Sequence, residues 1–292
     1  MIDLHAHILP GLDDGPAEME EAVTMCRIAA DDGTTAIVAT PHMFGEIHNV
    51  GCSEIREGVT KLQTALAREA ISLVVRPGAD VHVVPGLDRL LRDGRVMTLG
   101  DGGKYLLLEL PTDVMPEGLP ELLFAIQLLG ITPIIAHPER NLAIQANPFL
   151  LVDYVESGNL IQLTAGSLLG EFGRDARQCA EALLMSRMAH LIASDAHSAY
   201  RRRPGLSKAL ARARELSSAE EVEEIFVHRP LKVLGGQYFT VPEPIRQLEK
   251  RSMFQRMGFR SRVKSAACKS GTVTPDGDCR ESPLKNGTKV VA

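Results

Sequence analysis

The chain has 292 residues, of which 45% are hydrophobic and 24% charged, with a formal net charge of -5. That length suits one large domain or two small ones, and the composition is that of a globular enzyme rather than a disordered or fibrous chain. No apolar run reaches the roughly 18 residues of a membrane-spanning helix, and no basic region followed by an apolar core opens the chain, so neither a transmembrane segment nor a secretory signal is expected.

The chain opens MIDLHAHILPGLDDGP. In an extended strand alternate side chains share a face, so His5 and His7 point the same way and offer half of a metal site. The Pro-Gly and Asp-Gly steps that follow turn the backbone, which lets a carboxylate of the Asp13-Asp14 pair swing back over the same mouth. Buried strands are then expected at 2–4, 36–39, 73–75, 105–108, 131–136, 160–163 and 190–193. Helical patterns alternate with them, at 19–30, 54–70, 119–129, 148–156 and 174–188, and several end at a glycine stop such as Gly33, Gly130 or Gly158. Repeated β-α units imply a parallel sheet, either open and doubly wound or closed as a barrel. No glycine fingerprint for a dinucleotide or a P-loop follows any strand, which weakens the open-sheet nucleotide readings.

The residues after each strand carry the chemistry. His5, His7 and Asp14 follow the first, Pro41 and His42 the second, Asp80 the third, and Glu109 ends the fourth. His137, Glu139 and Arg140 follow the fifth strand, and Asp195 and His197 the seventh. Strand C-termini of a β/α barrel open on one face, where catalytic groups gather. Five of the nine histidines fall there, and Asp195-x-His197 repeats the same-face geometry of His5-x-His7. A metal centre is the expectation.

The segments IDLHAHILPGLDDGP, ATPHMFG, LLLELP, AHPER and SDAH, in that order, resemble the polymerase-and-histidinol-phosphatase (PHP) superfamily. Within it they look like the metal-dependent protein-tyrosine phosphatases of bacterial capsule and exopolysaccharide clusters, over residues 1 to about 247. The resemblance implies a distorted seven-stranded β/α barrel, similar to a TIM barrel, that holds three divalent ions, usually manganese. It carries His5, His7, Asp80 and Asp195 to a first metal, Asp80, Glu109 and His137 to a second, and Asp14, His42 and His197 to a third. Asp80 departs from the pattern, since relatives commonly place Glu at the bridging position. Gly78-Ala79 just before it would let the backbone come closer to make up the missing methylene. The implied substrate is a phosphotyrosine protein, a tyrosine autokinase that regulates polysaccharide export.

Nine nitrogen and oxygen donors without sulfur suit manganese, iron or catalytic zinc rather than a zinc-thiolate structural site. Three divalent ions would outweigh the four carboxylates and attract a phosphate dianion, and a metal-bound hydroxide is the expected nucleophile. No cysteine is followed by five residues and an arginine, so a thiolate phosphate loop is absent. Arg140 and one of the run Arg201-Arg202-Arg203 are expected at the phosphate, with Arg201 and Arg203 as the candidates from the run. Gln162 and Ser167 could hydrogen-bond to ligands, while His48, His82, His190 and His228 read as packing or surface residues.

The five cysteines are scattered and odd in number, which reads as reduced thiols of a cytoplasmic protein. From Lys250 onward ten Lys/Arg face three Asp/Glu, a balance of +7. Residues 1–247 are therefore expected to form the phosphatase domain and 248–292 a disordered basic tail, either without a fixed role or tethering an acidic partner or membrane surface. No nucleic-acid partner is expected, and a homo-oligomer is left open. The alternatives are a small-molecule phosphoesterase such as a histidinol-phosphate phosphatase, a metal-dependent amidohydrolase, and a non-catalytic module that keeps the fold.

Overall fold

The computed structural model describes residues 1–246; the basic tail expected from residue 248 lies outside the described residues. All seven expected strands are present, two of them broken, so that nine segments result. These are β1 (Ile2–Ala6), β2 (Ala36–Ala39), β3 (His42–Met43), β4 (Val74–Pro77), β5 (Asp80–His82), β6 (Tyr105–Glu109), β7 (Thr132–Ala136), β8 (Leu160–Thr164) and β9 (Leu191–Ala193). Every pairing is parallel, in the orders β1-β2-β4 and β3-β5-β6-β7-β8-β9. The last strand returns to the first: Asp195 N donates to His5 O and His7 N to Ala196 O, both at 2.8 Å. The sheet is therefore a closed barrel.

The breaks fall at Thr40-Pro41 and Gly78-Ala79, where β2 and β4 step aside into β3 and β5. His42 and Asp80 are the first residues after these steps, and they face each other in register. Proline has no N–H to offer a ladder, which suits an interruption at Pro41. Gly78 permits the other step, because a Cβ there would lie 2.5 Å from Cγ1 of Val38.

Two cores follow from the closure. An inner one, drawn largely from strands, contains Ile2, Leu4, Val38, Leu107, Ile134 and Leu191, with Phe239 and Val241 packed against it. An outer one joins the strands to helices such as Met19–Asp31 and Cys52–Arg68. Helix Met19–Asp31 buries Ala22, Met25, Cys26 and Ala29, the stripe that a 3.6-residue period sets on one side. The helix expected at 148–156 begins instead as a 3-10 turn, Pro148–Leu151, before Val152–Glu156. The stop expected at Gly158 adopts φ 86°, which glycine reaches without steric cost.

In β1 the register shifts between Asp3 and Ala6. Ile2 and Leu4 belong to the inner core, yet Ala6 belongs to the outer one. The irregularity brings His5 and His7 to the inside of the mouth above Leu4, although a regular strand would alternate them away from it. Asp3, fully buried, fastens this place by accepting from His5 N at 3.3 Å and Ser194 N at 3.0 Å.

Gly78→Ala is expected to cost about 1–3 kcal/mol, the range for overpacking a filled core. A thermal melt reads this as a lowered Tm, and a wild-type Tm would show that the step at residues 78–79 has room to spare.

Candidate metal centre

Each donor comes from the C-terminal end of a strand or the loop just beyond it. Nε2 of His5 and Nε2 of His7 lie 3.2 Å apart. Oδ2 of Asp80 and Oδ1 of Asp195 each lie 3.4 Å from His5 Nε2, and Asp195 Oδ1 is 3.5 Å from His7 Nε2. Donors that share one cation at bonds of about 2.0–2.2 Å are themselves separated by about 3–3.5 Å; His5, His7 and Asp80 form one group of such spacing, and Asp195 stands at that distance from both histidines. A second group joins Asp80, Glu109 and His137, with His137 Nε2 3.9 Å from Asp80 Oδ2 and 3.7 Å from Glu109 Oε1. A third joins Asp14 to His42 Nε2 at 3.5 Å and to His197 Nε2 at 3.3 Å. All nine residues expected from the sequence stand in one connected cluster, and Asp80 Oδ2 reaches toward both the first and the second group.

The fit to cations is visible in what these groups lack. Both carboxylate oxygens of Asp80 and Oδ1 of Asp195 are buried without a hydrogen-bond partner. Burial alone would push the Asp80 carboxyl up, but His5 and His137 hold it well below the usual carboxylate range. Burial likewise favours neutral His5, yet Asp80 and Asp195 raise it to about 9. The carboxylates thus draw positive charge to this point, of the kind that divalent cations would supply.

The imidazoles are aimed by partners on their other nitrogens. Nδ1 of His5 donates to Gln162 Oε1 at 3.1 Å, Nδ1 of His7 to Asp13 Oδ2 at 2.6 Å, and Nδ1 of His197 to the Asp195 carbonyl at 2.9 Å. Each acceptor is an oxygen, so the proton sits on Nδ1 and the Nε2 lone pair faces the cluster. Burial brings His7 down to about 4, against the pull of Asp13, so its ring is neutral at physiological pH. Asp13 also accepts from His42 N at 3.2 Å and Gly15 N at 3.0 Å. The acidic pair therefore divides its work: Asp14 faces the donors and Asp13 orients them. Adjacent carboxylates in a turn were the signal for it. His82, expected as a packing or surface residue, lies 2.8 Å from Glu109 Oε2 and groups with His42 and Glu109.

The arginines require a correction. Arg140 Nη1 and Arg202 Nη2 both bond to Asp195 Oδ2 at 2.6 Å, and both guanidiniums lie over Phe172, at 4.7 and 5.6 Å from its centroid. Arg202, rather than Arg201 or Arg203, is the member of the run that reaches the centre. Arg201 and Arg203 are both exposed, and Arg203 lies with Arg202 along a cavity beside Asp31 and Asp32. The reason is backbone conformation. Arg202 adopts φ 47°, and its carbonyl accepts from His197 N at 2.9 Å, which closes the loop and turns this residue inward. Asp195 and His137 are also left-handed, at φ 51° and 32°, strain of the kind that accumulates at functional sites. Glu139, by contrast, turns from the donors to accept from Thr164 N at 2.8 Å.

Asp13→Ala should leave the fold intact and weaken cation binding by roughly 10- to 100-fold, the usual effect of losing a partner that orients a ligand. Manganese titration by calorimetry checks this, and unchanged affinity would reduce Asp13 to a turn residue.

Over 198 residues the chain is 38% identical to the tyrosine-protein phosphatase YwqE of Bacillus subtilis, covering 68% of this chain and 78% of that protein. It is 32% identical over 254 residues to the putative tyrosine-protein phosphatase CapC of Staphylococcus aureus, covering 87% and 99%. Among solved structures, one from the work on YwqE of Bacillus subtilis and CpsB of Streptococcus pneumoniae, described as unique metal-dependent tyrosine phosphatases, superposes with a TM-score of 0.80. Its identity is 33%, over 84% of this chain and 98% of that one. The model of the capsular polysaccharide synthesis family CpsB/CapC matches residues 1–235, and the chain belongs to that family.

Proposed function

We propose that this chain is a metal-dependent protein-tyrosine phosphatase of capsular or exopolysaccharide synthesis. The observation that carries the reading is a largely buried cluster of nine oxygen- and nitrogen-bearing residues, Asp14 at its exposed edge, flanked by two guanidiniums and open to a groove of about 930 Å³. Three divalent ions, manganese ahead of iron or zinc, suit a donor set without sulfur. His5, His7, Asp80 and Asp195 would hold the first, Asp80, Glu109 and His137 the second, and Asp14, His42 and His197 the third. Bound there, such ions would supply Lewis-acid polarisation of phosphoryl oxygens and a lowered pKa for water at neutral pH.

The chain's own residues supply placement. Arg140 and Arg202 share one oxygen of Asp195, which keeps its other oxygen turned to His5 and His7. Arg140 also lines a small recess with Glu109 and His137, and Nε of Arg202 is buried without a partner. These donors are at hand for phosphoryl oxygens as charge builds on them. His82 steadies Glu109 from the groove side. Thiol chemistry has no support: Cys26 and Cys179 are buried, and burial pushes the Cys26 thiol up to about 12. The free thiols of Cys26, Cys52 and Cys179 fit a reducing, cytoplasmic setting, and among the described residues no helix is long and apolar enough to cross a membrane. The proposed partner is a bacterial tyrosine autokinase phosphorylated on tyrosine.

Chelation should abolish hydrolysis of a phosphotyrosine peptide and manganese should restore it, while replacing all five cysteines with serine leaves turnover near wild type. Loss of activity in the serine variant with metal still bound would refute hydroxide attack. Asp80→Asn should lose metal and nearly all activity; three retained ions with normal rates would mean that Asp80 bridges nothing.

Arg140→Ala and Arg202→Ala should each lower kcat/KM by roughly 10²- to 10³-fold, as removal of a preorganised donor does. Arg201→Ala and Arg203→Ala should stay within about twofold, as exposed substitutions do. Equal losses across all four would point to bulk charge rather than placement.

A further inference from the structure

The groove beside the metal centre has a second character that the donor set does not explain. Its floor is His42 and Glu109, and its outer walls are Ile47, 88% exposed, and Val114, 57% exposed. These walls belong to two loops, one after β3 and one after β6. The first is a built feature. Phe44 adopts φ 62° and its N–H donates to Asn49 Oδ1 at 3.0 Å. A Cβ at Gly45 would lie 2.9 Å from the His48 carbonyl and 3.1 Å from Nε2 of His82, so the loop is seated directly on His82. Two apolar side chains held out at the mouth of a charged centre are suited to the faces of a flat ring whose phosphate lies on the donors below.

The charge around this slot is one-sided. Glu46 and Asp113 also line it, both exposed, and neither has an ion-pair partner among the described residues. None of the described lining residues is lysine or arginine. The other two lining carboxylates, Asp14 and Glu109, belong to the donor set and face imidazoles. Glu46 and Asp113 are thus the uncompensated charges at the rim. The arginines that receive phosphate, Arg140 and Arg202, meet at Asp195 and do not line this groove.

Resting on the phosphatase reading, we infer that this groove receives the aryl ring of the phosphotyrosine between Ile47 and Val114, and that Glu46 and Asp113 select substrates with lysine or arginine next to that tyrosine. A basic neighbour would meet two free carboxylates, whereas an acidic neighbour would meet the same two and be repelled.

The test uses the full chain loaded with manganese and two phosphotyrosine peptides of equal length, one with lysines and one with glutamates flanking the tyrosine. Free phosphotyrosine serves as a reference. At low salt the lysine peptide should have the higher kcat/KM by roughly fivefold, the scale of one or two exposed ion pairs. That preference should fade as salt is raised, because exposed charges are screened. Glu46→Gln with Asp113→Asn should bring the ratio near one, and Glu46→Lys with Asp113→Lys should invert it. Dissociation constants for the same peptides carrying a non-hydrolysable phosphonate should follow the same order. If phosphotyrosine is cleaved but the wild-type ratio is one or lower, or if the double variants leave it unchanged, the groove assignment is wrong and the phosphatase reading stands. If no phosphotyrosine compound is cleaved while metal is bound, the phosphatase reading fails and the groove assignment falls with it.

Discussion

The structure depends on an unbalanced concentration of negative charge. Asp80 and Asp195 are almost wholly buried and each keeps a buried oxygen without a hydrogen bond, while Glu109, largely buried, faces His42 and His82. Taking a carboxylate out of water costs several kcal/mol even after relaxation, and three of them around the same imidazoles repel one another. Arg140 and Arg202 neutralise one oxygen of Asp195, which leaves the oxygens that face inward. A protein keeps such an arrangement when cations complete it. The cluster is therefore an apparatus for holding positive charge, and whatever anion approaches the mouth meets that charge.

The barrel bends its own regularity to make room. A seven-stranded sheet with strict alternation would place Leu4 inside and His5 outside. The shifted register of β1 brings both inside, apolar below and polar above. The steps at Thr40-Pro41 and Gly78-Ala79 do the same for His42 and Asp80, each set at the start of a fresh segment and opposite the other. Asp80 is thereby brought close to His5, His42 and His137 at once, at 3.4, 3.6 and 3.9 Å from its Oδ2. The step that sets Asp80 falls at Gly78-Ala79, and a Cβ at Gly78 would collide with Cγ1 of Val38.

Much of this was legible in the chain itself because ligands of a β/α barrel follow strand ends, and strand ends can be read from apolar runs. His5-x-His7 and Asp195-x-His197 announced themselves by spacing, and the glycine at 158 stopped its helix where expected. What stayed hidden depends on backbone conformation that no local pattern reports. Arg202 turns inward through a left-handed φ, while Arg201 and Arg203, of the same residue type on either side, do not. Asp13 and Asp14 are indistinguishable by composition, and only the fold makes one an orienting partner and the other a donor. His82 gained its place beside Glu109 through the short β5 segment, an extension that a strand ending at residue 75 did not foresee.

The central claim is that the three donor groups are three cation sites. Anomalous diffraction from manganese-soaked crystals tests it most directly. The account predicts three peaks per chain: one among His5, His7, Asp80 and Asp195, one among Asp80, Glu109 and His137, and one among Asp14, His42 and His197. Each should lie about 2.0–2.6 Å from its donor atoms, the range for oxygen and imidazole ligands. Peaks elsewhere on the protein, or a mouth that stays without anomalous density in excess manganese, would contradict it.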